Sequence, residues 1–244
     1  MHKLIVLAGF TCLLTGLASA GSFTNIVVPG TANVQTAGGN ADPATCCNSN
    51  GASTAAVLAI TFAAGPNQVL TLSSVTGTVG CSGVLTNGAD GTCFNFAPTS
   101  ITTLNSISGI ATVFVANMFL VGVFVDDNVP SGPQPGYLSY QAPDAFQLPD
   151  YTAVMALNRL FFIGDGLTGT GSGQTQRFGV PNGATRLFLG FVDGFNFQGA
   201  ADYYGDNVGA LTVSGDISST VPEPGTLALL PLGAAALWLL KKRS

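Results

Sequence analysis

Between Gly21 and Thr220 no stretch sustains a 3.6-residue hydrophobic period, and that limits the fold more than any single motif does. Short runs rich in β-branched and aromatic residues recur instead. They are "QVLTLSSVTGTV" (68–79), with Val69, Thr71, Ser73 and Val75 alternating, then "ATVFVANMFLVGVFV" (111–125), "RLFFI" (159–163), "TRLFLGFV" (185–192) and "GALTVSGDI" (209–217). Gly, Pro, Asn or Asp bounds each run, which is the pattern of strands separated by turns. Only "APDAFQLPDYTAVMALNRL" (142–160) has room for a short helical turn. The expectation is an all-β protein, a β-sandwich, with no internal repeat. Residues 21–56 are rich in Gly, Ala, Asn and Thr and poor in large apolar residues after Ile26-Val27-Val28. They are expected to form a loose leader, or a strand followed by a long loop, before a sandwich domain spanning 57–218.

The charges narrow the chemistry. Within residues 21–220 the cations are Arg159, Arg177 and Arg186, and all eleven acids are aspartates, so the segment carries a net charge of minus eight. Nucleic acid and anionic lipid both need a cationic surface, so neither is an expected partner. The segment has no Lys, Glu or His. Triads that need an imidazole, His-ligated zinc or iron, and lysine Schiff bases are therefore excluded. Paired aspartates remain for hydrolysis, but no spacing singles out a pair. The chain is expected to bind rather than to catalyse.

Two motif-like stretches have simpler explanations. "GDGLTG" (Gly164, Gly166, Gly169) follows a strand and fits a glycine-rich phosphate loop by spacing. It continues as "TGSGQTQRFGVP", a poor helix, so no helix N-terminus would receive a phosphate, and a glycine-rich loop between strands is expected. Asp126-Asp127-Asn128 is expected to be a solvated turn. Cysteine usage leaves several possibilities open. Cys46, Cys47, Cys81 and Cys93 can pair in three ways. A Cys81–Cys93 bond would close a short loop, at about 3 kcal/mol in the chain-entropy model. Cys46 and Cys47 would then be joined to each other or free; alternatively, each reaches one of the later two. The spacing does not match a CxxC metal site.

The two ends read as addresses. Residues 1–20, "MHKLIVLAGFTCLLTGLASA", combine a cation, an apolar stretch and the small-residue site Ala18-Ser19-Ala20, as in a secretory signal helix cut after Ala20. Residues 219–244 contain Val221-Pro222-Glu223-Pro224, an apolar run over 225–240, and the basic end Lys241-Lys242-Arg243. As a helix the apolar run would reach about 24 Å, short of a hydrocarbon core of roughly 30 Å; snorkelling lysines and local thinning close that gap. This three-part order resembles the PEP-CTERM sorting signal. The resemblance implies a transmembrane helix that tethers an exported protein to the inner membrane until an exosortase removes the tail, delivering the rest to the cell envelope or matrix.

One loop carries candidate ligands. "RLFLGFVDGFNFQGAADYYGDNVGALTVSG" reads as a strand, a loop entered at Asp193 and left through Tyr203-Tyr204-Gly205-Asp206-Asn207, and a second strand. A hard cation such as calcium takes six to eight oxygens, and carboxylates, amides and loop carbonyls supply them. The same residue types also populate turns for conformational reasons alone. The stretch resembles the calcium site of the LecA-type galactophilic lectins, small bacterial β-sandwiches. That resemblance implies a LecA-like, galactose-binding-like fold, a Ca2+ ion held by Asp193, the carbonyl of Tyr203 and the side chains of Asp206 and Asn207, and a carbonyl near Cys81 as a further ligand. It also implies a glycan ligand, here plausibly exopolysaccharide. The loop between Asp193 and Tyr203 is several residues longer than the family's, and the family's sugar-contacting histidine is missing. Phe195 and Phe197 stand where exposure would let them stack on a sugar, whereas Phe191 alternates with Leu187 and Leu189 and belongs to the core. A structural surface or matrix protein with no defined sugar ligand is the alternative.

Overall fold

The computed structural model describes residues 21–219 apart from 48, 52, 85–86, 92–98, 101–108, 112, 116–117, 140–147 and 196–199. The expected signal helix, the sorting signal with Val221, Pro222, Glu223 and Pro224, and Cys93 therefore lie outside the described residues.

Nine strands build two sheets. They are β1 (Gly21–Pro29), β2 (Val57–Thr61), β3 (Gln68–Gly80), β4 (Val121–Val125), β5 (Asp150–Tyr151), β6 (Leu160–Phe162), β7 (Arg177–Gly179), β8 (Arg186–Gly190) and β9 (Val208–Ser219). The first sheet runs β1-β9-β3-β7-β5 and the second β6-β4-β8-β2. All neighbours are antiparallel except β5 and β7, which run parallel. The longest ladder joins β9 to β3, from Val208 opposite Gly80 to Ser219 opposite Gln68, with one register shift at Ser214/Gly215. Each run expected to form strand does so, and the architecture is all-β and sandwich-like. The apolar run 111–125 carries two strands, Val113–Val115 and β4, separated by Met118 at φ 54°.

A file of aromatic rings joins the sheets. Tyr151 of β5 stacks on Phe178 of β7 at 5.6 Å, Phe178 meets Phe161 of β6 at 5.4 Å, Phe161 stacks on Phe124 of β4 at 5.2 Å, and Phe124 meets Phe62 edge-on at 6.3 Å. The Phe178–Phe161 contact crosses from one sheet to the other. Offset and edge-to-face pairs of this kind add roughly 0.5–1.5 kcal/mol each beyond their buried area.

Of the two readings of the stretch 21–56, a loose leader or a strand followed by a long loop, its start fits the second. Its first nine residues are β1, paired with β9 from Gly21–Ile217 to Pro29–Ala210. The chain then crosses to the second sheet, where Phe191 N–H donates to the Ala32 carbonyl (2.7 Å) and Val34 N–H to the Phe191 carbonyl (3.2 Å). Val34 and Ala37 are fully buried in the following 3-10 turns (Val34–Gly39). This cover explains why every residue of β4, "VGVFV", is buried: an uninterrupted apolar strand needs material on both faces. A boundary at residue 57 would cut this packing. Ala and Gly in this stretch pack closely where larger residues could not.

Turn chemistry accounts for the two motif-like stretches. Gly164-Asp165-Gly166 leads into a two-stranded ribbon, Leu167–Gly169 with Ser172–Thr175, as expected for a loop between strands. Asp126 accepts from the N–H and the side-chain amide of Asn128, both at 2.9 Å, in a solvated turn. Between 148 and 160 the described residues form β5 and turns, with no helix.

Truncating the aromatic file at its crossing point tests it. Phe178→Ala is expected to cost about 3–5 kcal/mol, read as a lowered urea midpoint with an unchanged slope.

Candidate functional site

Strand β8 carries its apolar alternation through Leu187, Leu189 and Phe191, all fully buried, and delivers Asp193 to the interior at 3% exposure. The chain returns at Asp202, whose N–H donates to the Asp193 carbonyl (3.1 Å), and turns through the 3-10 segment Tyr204–Asp206 into β9. The expected strand-loop-strand layout is present.

Asp193 is unlike the other aspartates. Asp42, Asp126, Asp150 and Asp165 each accept the N–H two residues ahead, at 2.8–2.9 Å, the ordinary turn role of a short acid. The carboxylate of Asp193 accepts from the adjacent Gly194 N–H (2.7 Å) in a buried setting. Burial pushes its pKa up to about 8; the Gly194 N–H and the Asn207 side chain pull it down, and the charges of Asp206 and Asp202 raise it again. A carboxyl so placed is uncomfortable as an anion unless a cation accompanies it.

Asn207 lies against it. Its backbone N–H donates to the Tyr204 carbonyl and its side-chain Nδ2 to the Gly30 carbonyl, both at 3.1 Å. Its Oδ1 is buried and, among the described residues, has no hydrogen-bond partner. A buried amide oxygen left without a donor costs about 1–3 kcal/mol and calls for an explanation, a bound ion being one.

The two other expected ligands sit less tightly. Asp206 is half-buried and near enough to act on Asp193 by its charge; its carbonyl accepts from Gly83 N–H (2.8 Å) and its carboxylate makes a long contact, 3.5 Å, with Ser82 Oγ. Tyr203 takes the left-handed conformation (φ 66°, ψ 20°), and its ring lies 5.1 Å from that of Phe195, which is 61% exposed. Holding a bulky residue there costs roughly 1–2 kcal/mol. The Cys81 carbonyl accepts from Val84 N–H at 3.2 Å. Phe191 is core, as expected, and Phe197 lies outside the described residues.

Sequence reasoning passed over the residues that hold the loop. Tyr204 is fully buried; its hydroxyl donates to Asn33 Oδ1 and accepts from Asp193 N–H, both at 3.1 Å. Burial, then the neighbouring Asp193 charge, raise this phenol well above its ordinary pKa. From the other side, residues 49–51 brace the returning strand. Asp202 accepts from Ser49 N–H and Tyr203 N–H, each at 2.8 Å, and from Ser49 Oγ. Desolvation opposes its charge, but the Ser49 and Tyr203 hydrogen bonds prevail and hold Asp202 below the usual carboxylate range. Gly205 N–H donates to Asn50 Oδ1 (3.0 Å), and a Cβ on Gly205 would lie 2.4 Å from the Asn50 carbonyl oxygen, so no other residue fits. Cys46 and Cys47, just upstream, are joined to each other, one of the pairings left open by the sequence. Cys81 is disulfide-bonded as well. A "YYGD" string does not tell which tyrosine is buried; only the partner at Asn33, 171 residues away, does so.

The donor set suits a hard cation: a buried carboxylate, an orphan amide oxygen and a second aspartate alongside. Among the described residues no three His, Cys, Asp or Glu side chains converge, so a cation here would rely on amide and carbonyl oxygens as well, which calcium accepts and zinc does not favour. Compared with known proteins, the chain matches no family model, no curated protein and no solved structure.

Two outcomes are expected. Tyr204→Phe leaves the buried Asp193 N–H without its acceptor and Asn33 Oδ1 with only the Gln35 N–H, and should cost about 1–3 kcal/mol in a chemical denaturation experiment. In cation-free buffer Asp193 keeps, in the folded state, a proton that the unfolded chain releases near pH 4. Its contribution to stability therefore falls as pH rises from about 4 to about 8. The melting temperature in EDTA should drop between pH 5 and pH 8, and Asp193→Asn should flatten that slope.

Proposed function

We propose that this chain is an exported protein of the cell envelope or extracellular matrix whose sandwich binds carbohydrate, with a calcium ion ordering the loop from Asp193 to Asn207. The observation that carries this is the buried Asp193 carboxylate with the Asn207 side chain against it, the amide oxygen of which has no hydrogen-bond partner among the described residues. One divalent ion answers both features, giving the amide oxygen a partner and making the anion the favoured form of Asp193. Asp206 and the Tyr203 carbonyl would complete the protein's share of the ligands, with water filling the rest.

The rim supports a sugar as the ligand. Phe195, which is exposed, lies against the half-buried ring of Tyr203, and a large apolar ring left in water next to a polar loop supports a recognition surface there. Tyr203 is strained at that position, and strain of this kind gathers at functional sites. Aromatic faces pack on the C–H faces of sugars while calcium and carboxylates take hydroxyls. We read the chain as a binding module: with no His or Lys between residues 21 and 220, it has neither an imidazole base nor an amine nucleophile, and no spacing of its aspartates singles out a catalytic pair. Delivery rests on the signal peptide 1–20 and on the PEP-CTERM-like tail, whose partner is an exosortase.

Calcium is expected to raise the melting temperature relative to EDTA. At a hundredfold excess over Kd the linkage is about 2.7 kcal/mol, or roughly 5–10 °C for a chain of this size. Asp193→Ala combined with Asp206→Ala should erase the shift; an undiminished shift in that variant removes calcium from this loop. EDTA-sensitive spots on a glycan array are the expected signature of the lectin-like role, and a calcium shift with a blank array would assign the chain a structural role.

A further inference from the structure

The end of the first sheet remote from this loop holds a cleft of about 440 Å³, within the range of small-ligand sites, about 300–1,000 Å³. Its rim includes Asn67, Asp150, Thr152, Arg177, Val180 and Asn182. Gln68 and Val69, which line it, open β3, whereas the calcium loop adjoins the other end of that strand. Thirteen residues separate the two places by about 40 Å along the strand.

The cleft is built on the sandwich core. Asp150 and Arg177 are paired across the parallel β5–β7 register, and so are the next residues, Tyr151 and Phe178. Alternation turns the first pair outward and the second inward. The inner pair stacks at 5.6 Å and is buried, and the outer pair forms a salt bridge at 3.1 Å with side chains 46% and 42% exposed. The aromatic file thus fixes the position of the charged pair.

Arg177 differs from the other two arginines between residues 21 and 220. Arg186 donates to the Asp126 and Asn128 carbonyls, and Arg159 to the Val154 carbonyl. Arg177 engages Asp150 through Nη1, and among the described residues the rest of its guanidinium makes no side-chain hydrogen bond. The Thr152 hydroxyl and N–H hold Asp150 below the usual carboxylate range, so it stays an acceptor at neutral pH. The cleft therefore offers ionised acceptors, fork-shaped donors and the exposed amide of Asn182, with no net charge between Asp150 and Arg177. An anion would meet a guanidinium already neutralised, on a chain of net charge minus five. A cation would meet a carboxylate already paired. A hydroxyl both donates and accepts, and it suits such a set.

We infer that this cleft binds a neutral, hydroxyl-rich ligand, a carbohydrate of one or two units, without calcium and independently of the loop from Asp193 to Asn207. Isothermal titration calorimetry on the full-length chain in a zwitterionic detergent, with maltose, cellobiose and lactose in excess EDTA, tests it. At least one sugar should bind. Arg177→Ala and Asp150→Asn should each weaken that binding tenfold or more while moving the melting temperature little, because an exposed ion pair adds little stability. The exposed Asn182→Ala gives the same readout should either variant fold poorly. Asp193→Ala combined with Asp206→Ala should leave the binding unchanged. The inference is overturned if none of the three sugars binds in EDTA, if the cleft variants bind as the parent does, or if glucuronate binds more tightly than the neutral sugars. Loss of binding in the loop variant alone would assign the sugar to the loop and also overturn it. A missing calcium shift, by contrast, bears only on the loop.

Discussion

The twelve-pair ladder between Gln68–Gly80 and Val208–Ser219 is the constraint on which the rest depends. It sets the length of the first sheet, and both candidate sites hang from its ends. At one end Val208 follows directly on Asn207, so the start of the ladder fixes the amide that faces Asp193. At the other, Val69 and Leu70 pair with Gly179 and Phe178, which brings Arg177 and Asp150 to the rim of the cleft. Side chains on a paired strand are held by hydrogen bonds on both flanks, and sites on such elements are better positioned than sites on loops alone.

The charge-poor composition acquires a physical meaning in the folded chain. Asp42, Asp126 and Asp165 are occupied with local backbone, each reaching the N–H two residues on. Two arginines are likewise occupied by carbonyl oxygens. These groups hold loops and short turns together locally. Against that background the two exceptions stand out: Asp193, buried with no cation, and the exposed Arg177–Asp150 pair. Function is assigned here to charged groups that reach beyond their own turn.

Much of the architecture was legible in the sequence because strands and tight turns are local. "QVLTLSSVTGTV" and "GALTVSGDI" show their strand character in any window, and Asp126-Asp127-Asn128 declares a turn by its own chemistry. Of the residues proposed as ligands from residue type and from the lectin resemblance, Asp193 and Asn207 lie together. The brace at residues 49–51, the pin from Tyr204 to Asn33 and the Asp150–Arg177 pairing were not found. Each joins segments tens to hundreds of residues apart, and no periodicity records such a meeting.

By itself, then, the sequence determined a chain of short strands without helical periodicity, poor in cations and without an imidazole between residues 21 and 220. Those properties belong to residues taken one window at a time. Only the tertiary structure decided that residues 21–39 complete the sandwich, that Asp193 loses its water while Asp126 keeps its own, and that Arg177 faces a carboxylate rather than a carbonyl. Burial and charge pairing depend on what the rest of the chain brings alongside, and in an antiparallel sandwich most of those neighbours come from far away in sequence.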